Sequence, residues 1–199
     1  VATSVVAKTV PGWNEDVKPY PQDLEKAKEL LAEAGYENGL DLKMYVSGEV
    51  RSRAAQVVQA QLAQVGINVD INVYEWGAFQ DAINAGEHDL LILGWVNTTC
   101  DPAYSVTQLF HSRNCGMSGN RAYLKDDKVD EMRSMLAVET NQEKRLQIYK
   151  DLQVRLNELC PWVPLYYKYS MVGRRADLKG FKFNKNTSFH YLGDCYYEK

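Results

Sequence analysis

The 199-residue chain is 45% apolar, 25% charged and 11% aromatic, with six prolines and 13 glycines. That composition belongs to a globular fold and excludes a disordered, collagen-like or disulfide-dense chain. Lys and Arg number 23 against 26 Asp and Glu, for a formal charge of −3. No aromatic–basic interleaving occurs, so nucleic acid is not an expected partner. The longest apolar stretch, Leu90 to Val96, is about a third of a membrane span. Neither a signal-peptide pattern nor a Met opens the chain, which reads as a mature product or an excised piece.

Residues 1–20 hold Pro11-Gly12 and Pro19 without a sustained period, and read as an extended lead-in rather than a core element. A helix is expected from Pro21 or Asp23, with Leu24, Ala27, Leu31 and Ala34 on one face and Gly35 as its stop. Leu40, Leu42, Met44 and Val46 alternate with Asp41, Lys43 and Tyr45, predicting a half-buried strand. After Ser47-Gly48 a second helix turns Ala55, Val58, Leu62 and Val65 inward and stops at Gly66. Ile67, Val69, Ile71 and Val73 alternate strictly, predicting the next strand, and a short helix carrying Phe79 and Ile83 ends at Gly86. The unbroken run Leu90 to Leu93 predicts a strand covered on both faces. Strand and helix in this order predict an α/β fold, a mainly parallel βαβ sheet flanked by helices.

The second half differs. Asp101-Pro102 opens a stretch of turn-formers reaching Asn120, followed by helices near 126–138 (Val129, Met132, Leu136) and 142–159 (Tyr149, Leu152, Leu156, Leu159). Pro161 ends the second of these. Trp162 to Ser170 reads as an edge strand containing Pro164, and Gly180 to Tyr197 as short aromatic strand-like pieces.

Ligands of open α/β sheets lie beyond the carboxyl ends of the strands. Three such loops can be named: Ser47 to Arg51, Glu75 to Gly77, and Gly94 to Asp101. Their candidate ligand-binding residues are Ser47, Trp76, Trp95, Asn97, Thr98 and Thr99. The two indoles can stack on a solute and donate one N–H each, or simply cap the core. Catalytic patterns are absent: His88, His111 and His190 are far apart, and no Walker loop, G-x-G-x-x-G, G-x-S-x-G or H-E-x-x-H occurs. Glu87 and Asp89 around His88 read as a solvated turn, and Cys160 before Pro161 as a buried small apolar group. None of the four cysteines forms a C-x-x-C pair; Cys100 and Cys115 could bridge, or all four be thiols. Neither a metal, a cofactor nor an enzymatic activity is expected.

The stretch Tyr20-Pro21 followed by Glu25 to Tyr36, then Gln59, Leu62 and Val65 to Ile67, carries a family pattern. It continues through Tyr74-Glu75-Trp76-Gly77, Ala85 to Asp89, Gly94-Trp95 and Asp101-Pro102. Arg145, Tyr149 and Gln153, Pro161 with Pro164-Leu165, and Gly180-Phe181 complete it. In order and spacing, residues 20–182 resemble the peptide and nickel class of extracellular solute-binding proteins, the receptors of dipeptide and oligopeptide ABC importers. The resemblance implies a two-lobed periplasmic-binding-protein-like fold of type II, closing on solute by hinge motion. It implies that this chain is the C-terminal lobe: 1–20 hinge-proximal, 21–175 the lobe, and 176–199 a return segment packing on an absent N-terminal lobe. The implied partners are a small peptide or related solute, that N-terminal lobe and ABC permease subunits. The implied location is extracytoplasmic, in the periplasm or as a cell-surface lipoprotein.

In peptide-binding members the third residue after the loop Trp is typically an Asp that pairs with the ligand's α-amino group. Here that position is Thr98, with the spacing from Trp95 to Asp101-Pro102 unchanged. A neutral hydroxyl is a poor anchor for a desolvated ammonium. Glu49, Asp101 or the missing lobe supplies the charge, or the solute lacks the amine. The alternatives are a nickel- or metal-chelate receptor reached by His111 or Arg113, a Cys or Asp hydrolase, and an interaction domain without a small ligand.

Overall fold

The alternating run Leu40–Val46 forms β1, which in the computed structural model is the middle strand of a parallel three-stranded sheet. Its neighbours are β2 (Ile67–Val73) and β3 (Leu90–Leu91), in the order β2-β1-β3. The structure describes residues 1–99, 101–169, 171–184 and 190–198. The register sets Leu40 opposite Ile67 through to Val46 opposite Val73, and Met44 and Tyr45 opposite Leu90 and Leu91. Parallel neighbours need crossovers, and α2 (Glu49–Ala63) and α3 (Trp76–Ala85) supply them.

The two crossovers cover opposite faces. Met44, Val46, Val69 and Ala55 are buried on one, with Val58, Leu62, Ile67 and Ile71 packed around them. Tyr45, Phe79, Ala82 and Ile83 are buried on the other, with Tyr74, Leu91 and Leu93. Tyr45 is thus not the outward residue its place in the alternation predicts, because α3 covers the face it points to. Val73 departs the other way and is 63% exposed. It ends the edge strand, past the α2 side chains that cover Ile67, Val69 and Ile71. The ladder of β3 is shorter than the predicted Leu90–Leu93. Even so, Ile92 N–H still donates to the Tyr45 carbonyl (3.3 Å), and successive residues of the run alternate between the two apolar clusters.

Helix α1 (Leu24–Glu33) starts at Asp23, whose carboxylate accepts the Lys26 N–H at 2.9 Å. Its stripe of Leu24, Ala27 and Leu31 is only half-buried, so the apolar face is more open than its period predicts. Gly86 closes α3 in the left-handed region (φ 76°), its N–H bonded to the Ala82 carbonyl. A Cβ there would lie 2.9 Å from the Tyr123 ring, so glycine meets both a conformational and a steric requirement.

The chain divides into two compact units. One comprises Tyr20–Gly94 and Gln108–Asp126 and contains the sheet; the other comprises Val1–Pro19, Trp95–Thr107 and Asp127–Lys199. The expected lobe at 21–175 therefore draws on both. The second unit is built on α5 (Asp127–Val138) and α6 (Gln142–Leu159), both where the period puts them, with Tyr149, Leu152 and Leu156 buried. A short antiparallel pair, β4 (Leu178–Lys179) with β5 (Tyr196–Tyr197), lies in the aromatic C-terminal stretch.

Several expectations change here. Residues 1–20 are irregular but not a bare lead-in: Ala2, Val6, Val10 and Val17 are buried. They are tied down by the Gln153 amide, which accepts from Ser4 Oγ (2.8 Å) and Asn14 N–H (3.1 Å) and donates to the Gly12 carbonyl (2.7 Å). The turn-rich stretch after Asp101 contains a helix, α4 (Pro102–Phe110). Trp162 to Tyr169 joins no ladder among the described residues, and Tyr169 is 89% exposed. The bonds of this stretch run instead to the N-terminal segment, through Leu165 to Ala2 and Tyr167 to Ser4 and Val6. Ser170 lies outside the described residues. Cys160 is exposed rather than buried, because it is the left-handed C-cap of α6 (φ 51°), beyond the buried Tyr149, Leu152 and Leu156. Cys100 also lies outside the described residues, and with it the pairing of Cys100 with Cys115.

Phe79 is fully buried against the sheet, whereas Leu30 on α1 is half-exposed. Phe79→Ala is expected to lower unfolding stability by about 3–5 kcal/mol in urea denaturation. Leu30→Ala is expected to change it by less than about 0.5 kcal/mol.

Candidate functional site

The carboxyl edge of the sheet holds two of the predicted residues. Ser47 follows β1 and is buried; its carbonyl accepts a bond from Arg51 Nη1 at 3.0 Å. Trp76 opens α3 directly after β2, with Glu75 as the cap whose carboxylate accepts the Gly77 N–H (3.1 Å). The indole stacks on Phe79 (ring centroids 5.8 Å) and lies under the Arg51 guanidinium (5.7 Å), while 48% of the residue stays exposed. Trp76 therefore caps the core with one part of its surface and offers the rest to solvent. Carboxylates nearby are engaged, Glu49 by Arg53 and Glu75 by its own helix.

The other four predicted residues begin the second unit. Trp95 is half-buried, its ring 5.5 Å from that of Tyr104, and its indole N–H is buried without a partner among the described residues. Asn97 and Thr99 are used by the loop itself. The Asn97 amide donates to the Asp101 carbonyl (2.8 Å), the Thr99 hydroxyl to Asn97 Oδ1 (3.1 Å), and the Asp101 N–H to the Thr99 hydroxyl (3.2 Å). Thr98 at the crest is exposed and makes no side-chain bond among the described residues.

Asp101 links this loop to α6. Its Oδ1 accepts the Ala103 N–H at 2.8 Å, capping α4, and the Tyr149 hydroxyl at 3.3 Å. That hydroxyl accepts from Arg145 Nη2 (3.1 Å), and Arg145 Nη1 donates to the Leu136 and Glu139 carbonyls at the end of α5. A cleft of ≈200 Å³ opens beside them, lined also by Pro11, Gln142 and Leu146. Burial, reinforced by the Asp101 charge and opposed by Arg145, pushes the Tyr149 phenol up to about 12. It is the hydrogen donor to Asp101 at any ordinary pH.

His88 is not in a solvated turn. Glu87 and Asp89 are exposed, but the imidazole is half-buried, with Nε2 2.9 Å from the Arg121 carbonyl and the ring near Tyr45 and Tyr123. The Cys115 thiol sits by the Asn120 amide (3.6 Å) and the Leu124 carbonyl (4.0 Å). Among the described residues no group of three or more His, Cys, Asp or Glu is placed to hold a metal, and no helix is long and apolar enough to cross a membrane.

The Asp101–Tyr149–Arg145 set was not among the predicted site residues. Its sequence signal was present: an Asp before a Pro is a cap and first-turn pair, and Arg145 and Tyr149 are one turn apart on α6.

A parallel βαβ sheet with helices on both faces and its candidate ligand loops at the carboxyl edge is the fold of periplasmic solute-binding proteins. The chain belongs to the bacterial extracellular solute-binding proteins, family 5, whose middle-region model matches residues 1–116. It is 30% identical to di/tripeptide-binding protein 2 of Pseudomonas aeruginosa over 87% of this chain and 34% of that protein. To heme-binding protein A of Haemophilus influenzae it is 30% identical over 90% of this chain and 34% of that protein. Helicobacter pylori DppA, an ABC transporter-associated periplasmic binding protein solved with the peptide STSA, superposes with a TM-score of 0.86 at 32% identity. That match covers 100% of this chain and 39% of DppA. The chain thus spans about a third of the length of the curated relatives it matches.

A phenol whose native pKa is raised from 10.0 to about 12 contributes stability that is complete below pH 10 and is lost as pH rises to 12. Thermal unfolding across pH 9–12 is expected to show the melting temperature falling through that window. The fall should be shallower in Tyr149→Phe, which has no phenol to ionise.

Proposed function

We propose that the chain is part of the solute-recognising receptor of an ABC importer for small peptides or related solutes. The observation that carries this reading is the superposition of the whole chain on a peptide-complexed periplasmic binding protein at 32% identity. Sequence similarity to di/tripeptide-binding proteins along nearly the whole chain supports it. The receptor acts outside the cytoplasm, as the family's description implies, by binding rather than by catalysis, and hands its solute to ABC permease subunits; a lipid anchor is part of the proposal. Ser47, Trp76, Trp95, Asn97, Thr98 and Thr99 are proposed to serve solute binding. Trp76 offers an exposed indole face and Thr98 a hydroxyl, whereas Asn97 and Thr99 shape the loop that presents it. Residues 1–20 are proposed as hinge-proximal, 21–175 as the C-terminal lobe and 176–199 as a return segment against the N-terminal lobe. The exposure of Tyr191, Leu192, Tyr196 and Tyr197 supports the last assignment.

The neutral Thr98 favours a solute that does not depend on a free α-amine at that position. Two observations keep a non-peptide solute, such as a metal chelate or haem, as the second reading: this residue, and the 30% identity to a heme-binding protein. Thermal-shift assays of the full-length protein against dipeptides, haem and nickel chelates separate the two, since a bound solute raises apparent stability. For the first reading, calorimetry of the full-length protein is expected to show weak binding of the dipeptide Met-Leu. Thr98→Asp should tighten it by roughly 10- to 100-fold, the worth of one charge-assisted bond. Sub-micromolar binding by the unmodified protein would contradict the role given to Thr98.

A further inference from the structure

The loop Trp95–Asp101 is held from its far end by a side chain that no predicted site includes. Starting at the end of α5, the Leu136 and Glu139 carbonyls fix the Arg145 guanidinium, and Arg145 donates to the Tyr149 hydroxyl. Tyr149 donates to Asp101 Oδ1, which also takes the Ala103 N–H at the start of α4. Asp101 then closes the loop through its own backbone: its N–H on Thr99, its carbonyl on Asn97, and Thr99 on Asn97. Every polar atom in this chain has a direction. The guanidinium donates only, so the hydroxyl that accepts from it must spend its hydrogen on the carboxylate. A hydroxyl polarised by a cation and donating to an anion is charge-assisted in kind, here at a long 3.3 Å. Tyr149 is buried, so its hydroxyl is delivered by a side chain withdrawn from solvent.

We infer that Tyr149 is a positioning residue: acting through Asp101, its hydroxyl fixes the conformation in which the loop presents Trp95 and Thr98. This rests on the proposal that the loop meets solute, but the holding of the loop can be tested without any solute. Among the described residues, the Trp95–Tyr104 ring contact and the Asp101 cap tie the loop to α4, and the Tyr149–Asp101 bond ties it to α6.

Hydrogen–deuterium exchange on the solute-free, full-length protein decides it. Tyr149→Phe removes one oxygen and keeps the ring packing. Exchange of the amides of residues 96–99, 101, 103 and 104 is expected to quicken roughly tenfold, the effect of one such bond, with α5 and α6 unchanged. Asp101→Asn, which keeps a capping oxygen but loses the charge, should loosen the same amides. At residues 96–99 the double variant should loosen the amides by less than the product of the single effects, because both weaken the Tyr149–Asp101 bond, while Asp101→Asn also weakens the cap on Ala103. Unchanged exchange in both single variants would overturn the inference. So would an equal rise through α5 and α6, or effects that multiply in the double variant. A parallel titration with Met-Leu separates this claim from the solute reading. Quickened loop exchange in a protein that never binds any solute offered would fault the solute reading and leave the positioning intact.

Discussion

Everything at the sheet's carboxyl edge depends on one constraint: β1 has a parallel partner on each side and helices over both faces. Where both faces are covered, in its last three residues, such a strand keeps no polar residue, while Asp41 and Lys43 nearer its start stay exposed. Met44 and Val46 go to α2, and Tyr45 goes to α3 between them. Each crossover leaves its strand at the same edge, so Ser47-Gly48 and Glu75-Trp76 gather there without any further device. The apolar faces of the helices fix their rotation. Phe79 and Ile83 must point at Tyr45, and Trp76, one turn before Phe79, then stands at the rim with half its surface free.

The other unit has almost no sheet and is organised by buried polar groups. Gln153 substitutes for a ladder, with its amide oxygen shared by Ser4 and Asn14 and its amide nitrogen by the Gly12 and Tyr149 carbonyls. Such a group is costly when any partner is lost, about 1–3 kcal/mol per orphaned atom, and this makes an irregular segment as definite as a strand. Arg145, Tyr149 and Asp101 do the same for the loop after Trp95. The two turns of α6 from Arg145 to Gln153 thus present Arg145 to α5, Tyr149 to the loop and Gln153 to the N-terminal segment.

Periodicity revealed the regular elements because burial imposes it. Strands β1 and β2 and helices α2, α3, α5 and α6 lie where the apolar spacing puts them. What periodicity hid has a common cause. Tyr45 and the segment 1–20 are buried by partners distant in sequence, so no local pattern marks them. Pro102 reads as a turn-former in isolation, although after Asp101 it starts a helix. The predicted strand from Trp162 has strand-like residues but no strand beside it among the described residues. Among the proposed site residues, the place of Ser47 and Trp76 at strand ends was legible from the alternation. That Asn97 and Thr99 turn into their own loop, and that Tyr149 reaches Asp101 across 48 residues, follows only from the tertiary fold.

Family 5 membership and a full-chain match to a peptide-complexed relative fix the kind of protein; Thr98 bears on the kind of solute. A hydroxyl gains only one hydrogen bond from a charged amine, whereas a carboxylate gains an ion pair as well. The most direct test is the ratio of affinities of the full-length protein for Met-Leu and for N-acetyl-Met-Leu, measured by calorimetry. The account predicts a loss of no more than about tenfold on acetylation, since a single hydrogen bond and no ion pair is lost. A loss of roughly 100-fold or more on acetylation would show a buried anion holding the α-amine and would contradict it.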